Sequence, residues 1–335
     1  MRPKQTTIAA RWPMRSLVVA GASREEWLSV RSGFSGMTGS VAPILYGAVR
    51  YNTLELEYDK RANGIEQPEP GFLATCGIVL EPHILDEVCK QPIEDRPLRF
   101  ELVDGPKFIQ HPVFEWAACS PDFAAYTEDP EICAQYGTQA GARIVAEPLR
   151  ITGEIKNRDG SLSWKYKDGE CQLSERVQVA WNVACMDADV GLLLVKLFGE
   201  VRSFILPRDR AFEDELFSSA RRFLDAVEAR DVSALIDMTD KAEEKWDLVR
   251  AAYDTDKSRI EVDDPEIDEM ISELEGFKAA KKTADSDIKR QSAAIARTMK
   301  QAERMRTARY SVSWPTLKTG KRGGLRIKEL QTDDD

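Results

Sequence analysis

The chain is poor in histidine, with only His83 and His111. That excludes chemistry built on several imidazoles and leaves carboxylates as the groups able to hold a hard metal ion. Its cysteines, Cys76, Cys89, Cys119, Cys133, Cys171 and Cys185, include no C-x-x-C pair. A zinc ribbon is therefore not expected, and free, partly buried thiols are. No run approaches the roughly 18 apolar residues needed to span a bilayer. The first residues, MRPKQTTIAARWPMRSLVVAG, carry Arg and Lys throughout and lack the apolar stretch and cleavage site of an export signal. A soluble, cytoplasmic protein without membrane association is the expectation. No internal repeat of about 20–50 residues is present.

What the chain has is length and charge. Its 335 residues, 42% of them hydrophobic, can bury one substantial core plus an appendage, or two modest domains. A net charge of −10 argues against coating nucleic acid with the whole surface, although a local basic stripe suffices for binding. Lysines and arginines crowd the stretch from Lys278 to Lys328 with few acids among them. This asymmetry fits either a solvated helix face or a phosphate-binding arm.

Local signals give an α/β order. Ser23 with Glu26 three residues on forms a capping-box start, and Trp27 just after it is expected in the core. GFSGMTGSVAPILYG reads as a loop and a short helix, and the Asn52–Lys60 region as a second helix. CGIVLEPHILDEVCK has helical apolar spacing despite Pro82. Short strands are expected in RFELVDG, in FIQHPV and around Trp116–Cys119, with a loop-rich insertion over 127–148. Leu149–Lys156 reads as a strand and 172–186 as a helix. Val190–Phe198 and Val201–Leu206 make a hairpin, and Arg208–Arg230 an amphipathic helix. Asp264-Pro265 opens a helix expected to run to about Arg309. Tyr310–Leu317 and Leu325–Lys328 then form a small hairpin. The domains expected are an arm (1–20), a core (21–245) and a basic helical extension with a terminal hairpin (246–335).

The chemistry concentrates in Glu81, Asp122, Glu154, Lys156 and Gln178. Hydrolysing a phosphodiester needs charge neutralisation and an activated water, which Mg²⁺ supplies from a few carboxylate oxygens and retained waters. In Glu154-Ile155-Lys156 the strand period puts Glu154 and Lys156 on one face and Ile155 in the core. A metal ligand thus stands beside an ammonium able to orient water. Asp122 is the candidate bridging carboxylate from the preceding strand, and the Ile155 carbonyl a further ligand. Glu243-Glu-Lys245 and Asp287-Ile-Lys289 share the spacing but lie in helical surroundings without a strand-end Asp.

Four blocks, in order, resemble the YqaJ-type viral recombinase family, related to lambda exonuclease within the PD-(D/E)xK nucleases. They are SREEWLSVRSGFSGMTGSVAPILYG, CGIVLEPHILDEV, ACSPDF followed by GEIKN, and ERVQVAWNVA followed by two strands and RDRAFEDELFSSARRFLDAV. They cover roughly residues 15–230, and the tail also resembles extensions of some members. The resemblance implies a mixed central sheet flanked by helices. It implies Asp122 and Glu154 as ligands of Mg²⁺ or Mn²⁺, Lys156 as the water-orienting group, and Glu81 and Gln178 in support. Arg31 and Ser40 match positions that hold a 5′-phosphate. The activity implied is 5′→3′ exonuclease action on double-stranded DNA ends in phage-type recombination, in a phage- or prophage-encoded protein. Its implied partners are a single-strand annealing protein and further copies in a homotrimer. The second Gln of the family's Gln-x-Gln is Ala180 here, the Arg31–Ser40 stretch is longer and the 127–148 segment is inserted. An endonuclease or repair nuclease of the same superfamily, or a non-catalytic DNA-binding protein keeping the fold, therefore stays open. No cysteine follows Cys185, which excludes the branch with an iron–sulfur cluster downstream.

Overall fold

Val190–Leu197 is apolar at nearly every position, the pattern of a strand covered on both faces. In the computed structural model it is indeed an inner strand of a mixed sheet. The structure describes residues 15–18, 23–49, 51–65, 72–90, 100–103, 108–129, 133, 148–167, 169–253 and 260–330. Two compact units divide the chain, Met1–Thr255 and Asp256–Asp335. The elements of the first, in order, are β1 (Arg15–Val18), α1 (Arg24–Ser32), β2 (Met37–Thr38), α2 (Leu54–Ala62), α3 (Phe72–Lys90), β3 (Glu101–Val103), β4 (Phe108–Gln110), β5 (Ala117–Cys119), β6 (Phe123–Thr127), β7 (Leu149–Arg158), α4 (Leu173–Met186), β8 (Val190–Leu197), β9 (Glu200–Pro207), α5 (Arg210–Ala229) and α6 (Ala242–Ala252).

The larger sheet has the order β3-β6-β7-β8-β9, with β7 and β8 parallel and the other pairs antiparallel. Alternation divides its side chains between two cores. Ile151, Ile155, Leu192 and Leu194 join Ile84 and Val88 of α3 on one face. Leu193 and Val195 join Val177, Trp181 and Val183 of α4, with Leu216 and Phe223 of α5 behind them, on the other. A mixed sheet flanked by helices is thus the observed architecture, as the sequence implied. A smaller sheet, β1-β4-β5-β2, packs beside α4: the Trp181 Nε1–H donates to the Ala118 carbonyl of β5 at 2.8 Å.

Several local expectations hold. Ser23 and Glu26 complete the capping box of α1, Glu26 N–H to Ser23 Oγ at 3.1 Å and Ser23 N–H to Glu26 Oε2 at 2.7 Å. Such a cap is worth about 0.5–2 kcal/mol. Pro82 lies inside α3, where its missing N–H costs the helix one rung. The six cysteines are free, with Cys119 and Cys185 buried. Among the described residues no helix is long and apolar enough to cross a membrane.

Other expectations change. Arg15–Val18, read as part of an arm, is an edge strand paired with β4; residues 1–14 lie outside the described residues. The 127–148 insertion lies largely outside them as well. Phe123–Thr127 forms a strand that the sequence hid, because its residues are buried throughout and show no alternation. Asp122 consequently stands at the start of β6, not at the end of the strand before it.

In the second unit, α7 (Pro265–Met299) starts at the expected cap, with Asp264 accepting from Glu266 N–H at 2.9 Å. It ends ten residues short of Arg309. Lys300 takes a positive φ of 50° that closes the helix. The residues beyond enter a three-stranded antiparallel sheet, β10 (Arg304–Arg306), β11 (Tyr310–Ser313) and β12 (Arg326–Glu329), where two strands were expected.

Candidate active site

The strand period does what the Glu-x-Lys spacing requires. Ile155 is 1% exposed within the α3-side core, so Glu154 and Lys156 face α4. Glu154 is 3% exposed, and both of its oxygens accept hydrogen bonds. Its Oε1 accepts from Lys156 Nζ and Gln178 Nε2, each at 2.5 Å, and its Oε2 from Asn182 Nδ2 at 3.0 Å. Gln178 and Asn182 are one turn apart on α4 and therefore share a face. The two decoy motifs lie in α6 and α7, where residues two apart point in different directions.

Asp122 reaches the same place from the corner Ser120-Pro121-Asp122, which links β5 to β6. Its N–H donates to the Gly153 carbonyl at 3.0 Å, and its Oδ2 accepts from the Ile155 N–H at 2.6 Å. This docking needs Gly153: a β-carbon there would overlap the Phe123 ring that lies across it. Ile155 thus meets Asp122 through its backbone amide.

These groups line a cavity of about 470 Å³. Its walls include Glu81 and Pro82 of α3, Trp27 and Arg31 of α1, Thr38, Gly39 and Ser40 of the following loop, and Asp122, Glu154, Gln178 and Asn182. Lys156 does not line it and acts on it through Glu154. Arg31 and Ser40 are joined directly, Nη2 to Oγ at 2.8 Å, with Thr38 Oγ1 3.3 Å from the Ser40 hydroxyl. Trp27 holds this wall. Its ring lies 4.9 Å under the Arg31 guanidinium and its Nε1–H donates to Ser120 Oγ at 2.9 Å. Trp27, expected in the core, is only half-buried: it packs against the Val18–Phe108 cluster, lines the cavity and ties α1 to the Asp122 corner. Gly39 lets the loop approach α4, since a β-carbon there would overlap the Asn182 amide.

The charge balance is tense. Burial, then the carboxylates of Glu154 and Glu81, push the Asp122 carboxyl well above the usual range, against Lys156 and the Ile155 N–H. Burial acts to lower the Lys156 ammonium, but Glu154 and Asp122 reverse this and raise it. Burial lowers Arg31, with Glu154 opposing. The cavity therefore holds an Asp122 carboxyl whose ionised form is disfavoured without more positive charge.

The lining residues suit a hard cation: they include acids, amides and hydroxyls but no cysteine or histidine. Among the described residues no three His, Cys, Asp or Glu side chains converge to hold an ion by themselves. An ion here would keep part of its shell for water or substrate, as Mg²⁺ does.

Asn182 is the site residue that the sequence reading missed. Its signal was the four-residue spacing from Gln178, which becomes meaningful only once Gln178 is placed on Glu154. The histidines stay outside the cavity lining. His111 is buried, its Nδ1 accepting from the Val113 and Phe114 N–H groups, and burial with Arg208 pushes it down to about 4.

No family model matches this sequence, and no curated protein does. Among solved structures, the chain is similar to an alkaline exonuclease (LHK-Exo) from Laribacter hongkongensis, at 18% identity over 62% of this chain and 93% of that one, with a TM-score of 0.44. It is likewise similar to LHK-Exo in complex with dAMP, at 17% identity over 62% and 93% of the two chains, with a TM-score of 0.43.

Proposed function

We propose that this chain is a divalent-metal-dependent deoxyribonuclease, acting as a 5′→3′ exonuclease on double-stranded DNA ends. The observation that carries the reading is that Asp122, Glu154, Glu81, Gln178 and the Arg31–Ser40 pair, distant in sequence, line one cavity with Lys156 bonded to Glu154. Asp122 and Glu154 would hold Mg²⁺ or Mn²⁺, with Glu81 and the Ile155 carbonyl as further donors. Bound there, the ion supplies charge neutralisation at the phosphate and lowers the pKa of its water.

The chain's own residues do the rest. Gln178 and Asn182 hold the Glu154 carboxylate in one orientation. Lys156 sets a half-buried ammonium against Glu154 and, through that carboxylate, would help to orient the attacking water. Arg31 and Ser40 offer a guanidinium and a hydroxyl to a 5′-phosphate at one wall. A terminal phosphate carries more charge than an internal one, so this wall favours ends over interior DNA. The 3′-ended single strands left behind would be substrates for a single-strand annealing protein.

The test is cleavage of linear and closed circular duplexes, with and without 5′-phosphate, in Mg²⁺ or EDTA. Loss of linear, 5′-phosphorylated DNA in Mg²⁺ alone is the expected result. Cutting of the closed circle would make the protein an endonuclease, and no cleavage of any substrate would overturn the catalytic reading.

A further inference from the structure

The cations of the second unit are not equivalent. On α7, Lys278 pairs with Glu275 at 2.7 Å and Arg290 with Asp287 at 2.8 Å, so part of the helix charge is neutralised locally. The small sheet is different. Its register sets Arg304 opposite Ser313, Arg306 opposite Ser311, Ser311 opposite Lys328 and Ser313 opposite Arg326. Cross-strand partners share a face. One face therefore carries Arg304 and Arg306 on one outer strand, Lys328 and Arg326 on the other, and two serines on the strand between. The opposite face carries Met305, Val312 and Ile327, with Val312 only 3% exposed.

All four cations of this face are exposed. Among the described residues none of them has a carboxylate within ion-pair distance. Of the nearby acids, Glu329 pairs with Arg309 at 3.3 Å, and Glu303 pairs with Arg322 at 3.7 Å while also feeling the Arg304 charge beyond ion-pair distance. By strand geometry the four charges mark a patch roughly 7 Å by 10 Å. Cations also protect sheet edges from pairing. That role needs neither a common face nor serine hydroxyls between them.

We infer that this face is a sequence-independent binding site for the DNA phosphate backbone, separate from the cavity in the first unit. Arginine, lysine and serine are phosphate-contacting side chains, and none of them reads a base merely by lying on a flat sheet. The inference rests on the nuclease reading for its choice of polyanion.

The experiment uses the full chain in EDTA, so that binding is measured without cleavage. Kd is followed against salt for duplex and single-stranded oligonucleotides. The variants are Arg304, Arg306, Arg326 and Lys328 changed together to Gln, a version with the three arginines changed to Lys, and a control with Lys278, Lys281, Lys282 and Lys289 changed to Gln. Each cation that no longer meets a phosphate should flatten the log–log slope by about 0.9 on duplex and about 0.7 on single strands. If the Gln variant abolishes two or more such phosphate interactions, binding at 0.1 M salt weakens about 60-fold or more. The Lys version should stay within about threefold of wild type, and the helix control should keep its slope, because the interactions are those of point charges on the sheet. A duplex slope unchanged in the Gln variant, with or without aggregation, overturns the inference and leaves edge protection as the role. Wild type that cleaves DNA while the Gln variant keeps its slope overturns this site alone. Slope flattening in the Gln variant, in a protein whose wild type shows no Mg²⁺-dependent cleavage, keeps this site and overturns the nuclease reading.

Discussion

Replacing Asp122 by Asn keeps the side chain's shape and removes a charge that the metal-free fold disfavours. The Asp122 carboxyl is pushed well above the usual range, first by burial and then by Glu154 and Glu81. Because the folded carboxyl titrates above its unfolded counterpart, the folded state holds the proton between the two values. Stability of the metal-free wild type therefore falls as pH rises through that interval, which opens near the ordinary aspartate value of about 4. Below the interval the two proteins should be level, and above it the variant should lead. Each tenfold shift in a protonation equilibrium is worth about 1.4 kcal/mol. Against that relief stands the loss of charge assistance in the 2.6 Å bond from the Ile155 N–H, about 1 kcal/mol. The variant is therefore expected to melt above the wild type in EDTA at pH 8, where the wild-type carboxyl has lost the proton that the fold favours. Mg²⁺ should reverse the order. At a hundred times its Kd a ligand stabilises the wild type by about 2.7 kcal/mol, and the variant by far less. Thermal melts from pH 3 to 9, in EDTA and across a Mg²⁺ titration, read both effects. A variant less stable than wild type in EDTA at pH 8, or a wild type whose Tm ignores Mg²⁺, would refute the reasoning. The variant should be stable and inactive at once.

Glu154→Ala and Lys156→Ala should each abolish cleavage in folded protein, whereas Glu243→Ala, in the helical decoy, should leave it near wild type; substantial turnover by Glu154→Ala would remove the site assignment. Asn182→Ala deletes a charge-assisted bond worth about 1.5–3 kcal/mol, so kcat should fall about tenfold to a hundredfold with little change in DNA affinity. Unaltered kcat there would show that Gln178 and Lys156 suffice to orient Glu154. Arg31→Ala should slow initial rates on 5′-phosphorylated ends by about tenfold to a hundredfold and on hydroxyl ends little. Equal slowing on both would make Arg31 a structural partner of Trp27.

The sequence by itself determined what depends on neighbours along the chain. The capping box at Ser23, the apolar run of Val190–Leu197 and the same-face placement of Glu154 and Lys156 follow from helix and strand periods. These periods are backbone properties and need no partner. Tertiary structure decided what depends on contacts between distant segments. Phe123–Thr127 became a strand because both of its faces are covered, which erased the alternation that would have revealed it. Asn182 acquired a role only when α4 was laid along β7. Lys278–Lys328 looked uniformly basic, yet α7 stops at Met299 and pairing register sets four of the cations beyond it, Arg304, Arg306, Arg326 and Lys328, on one sheet face. Helix propensity favoured continuing to Arg309. Strand pairing across Tyr310–Ser313 won, because a β-ladder's hydrogen bonds come from residues that no local window contains.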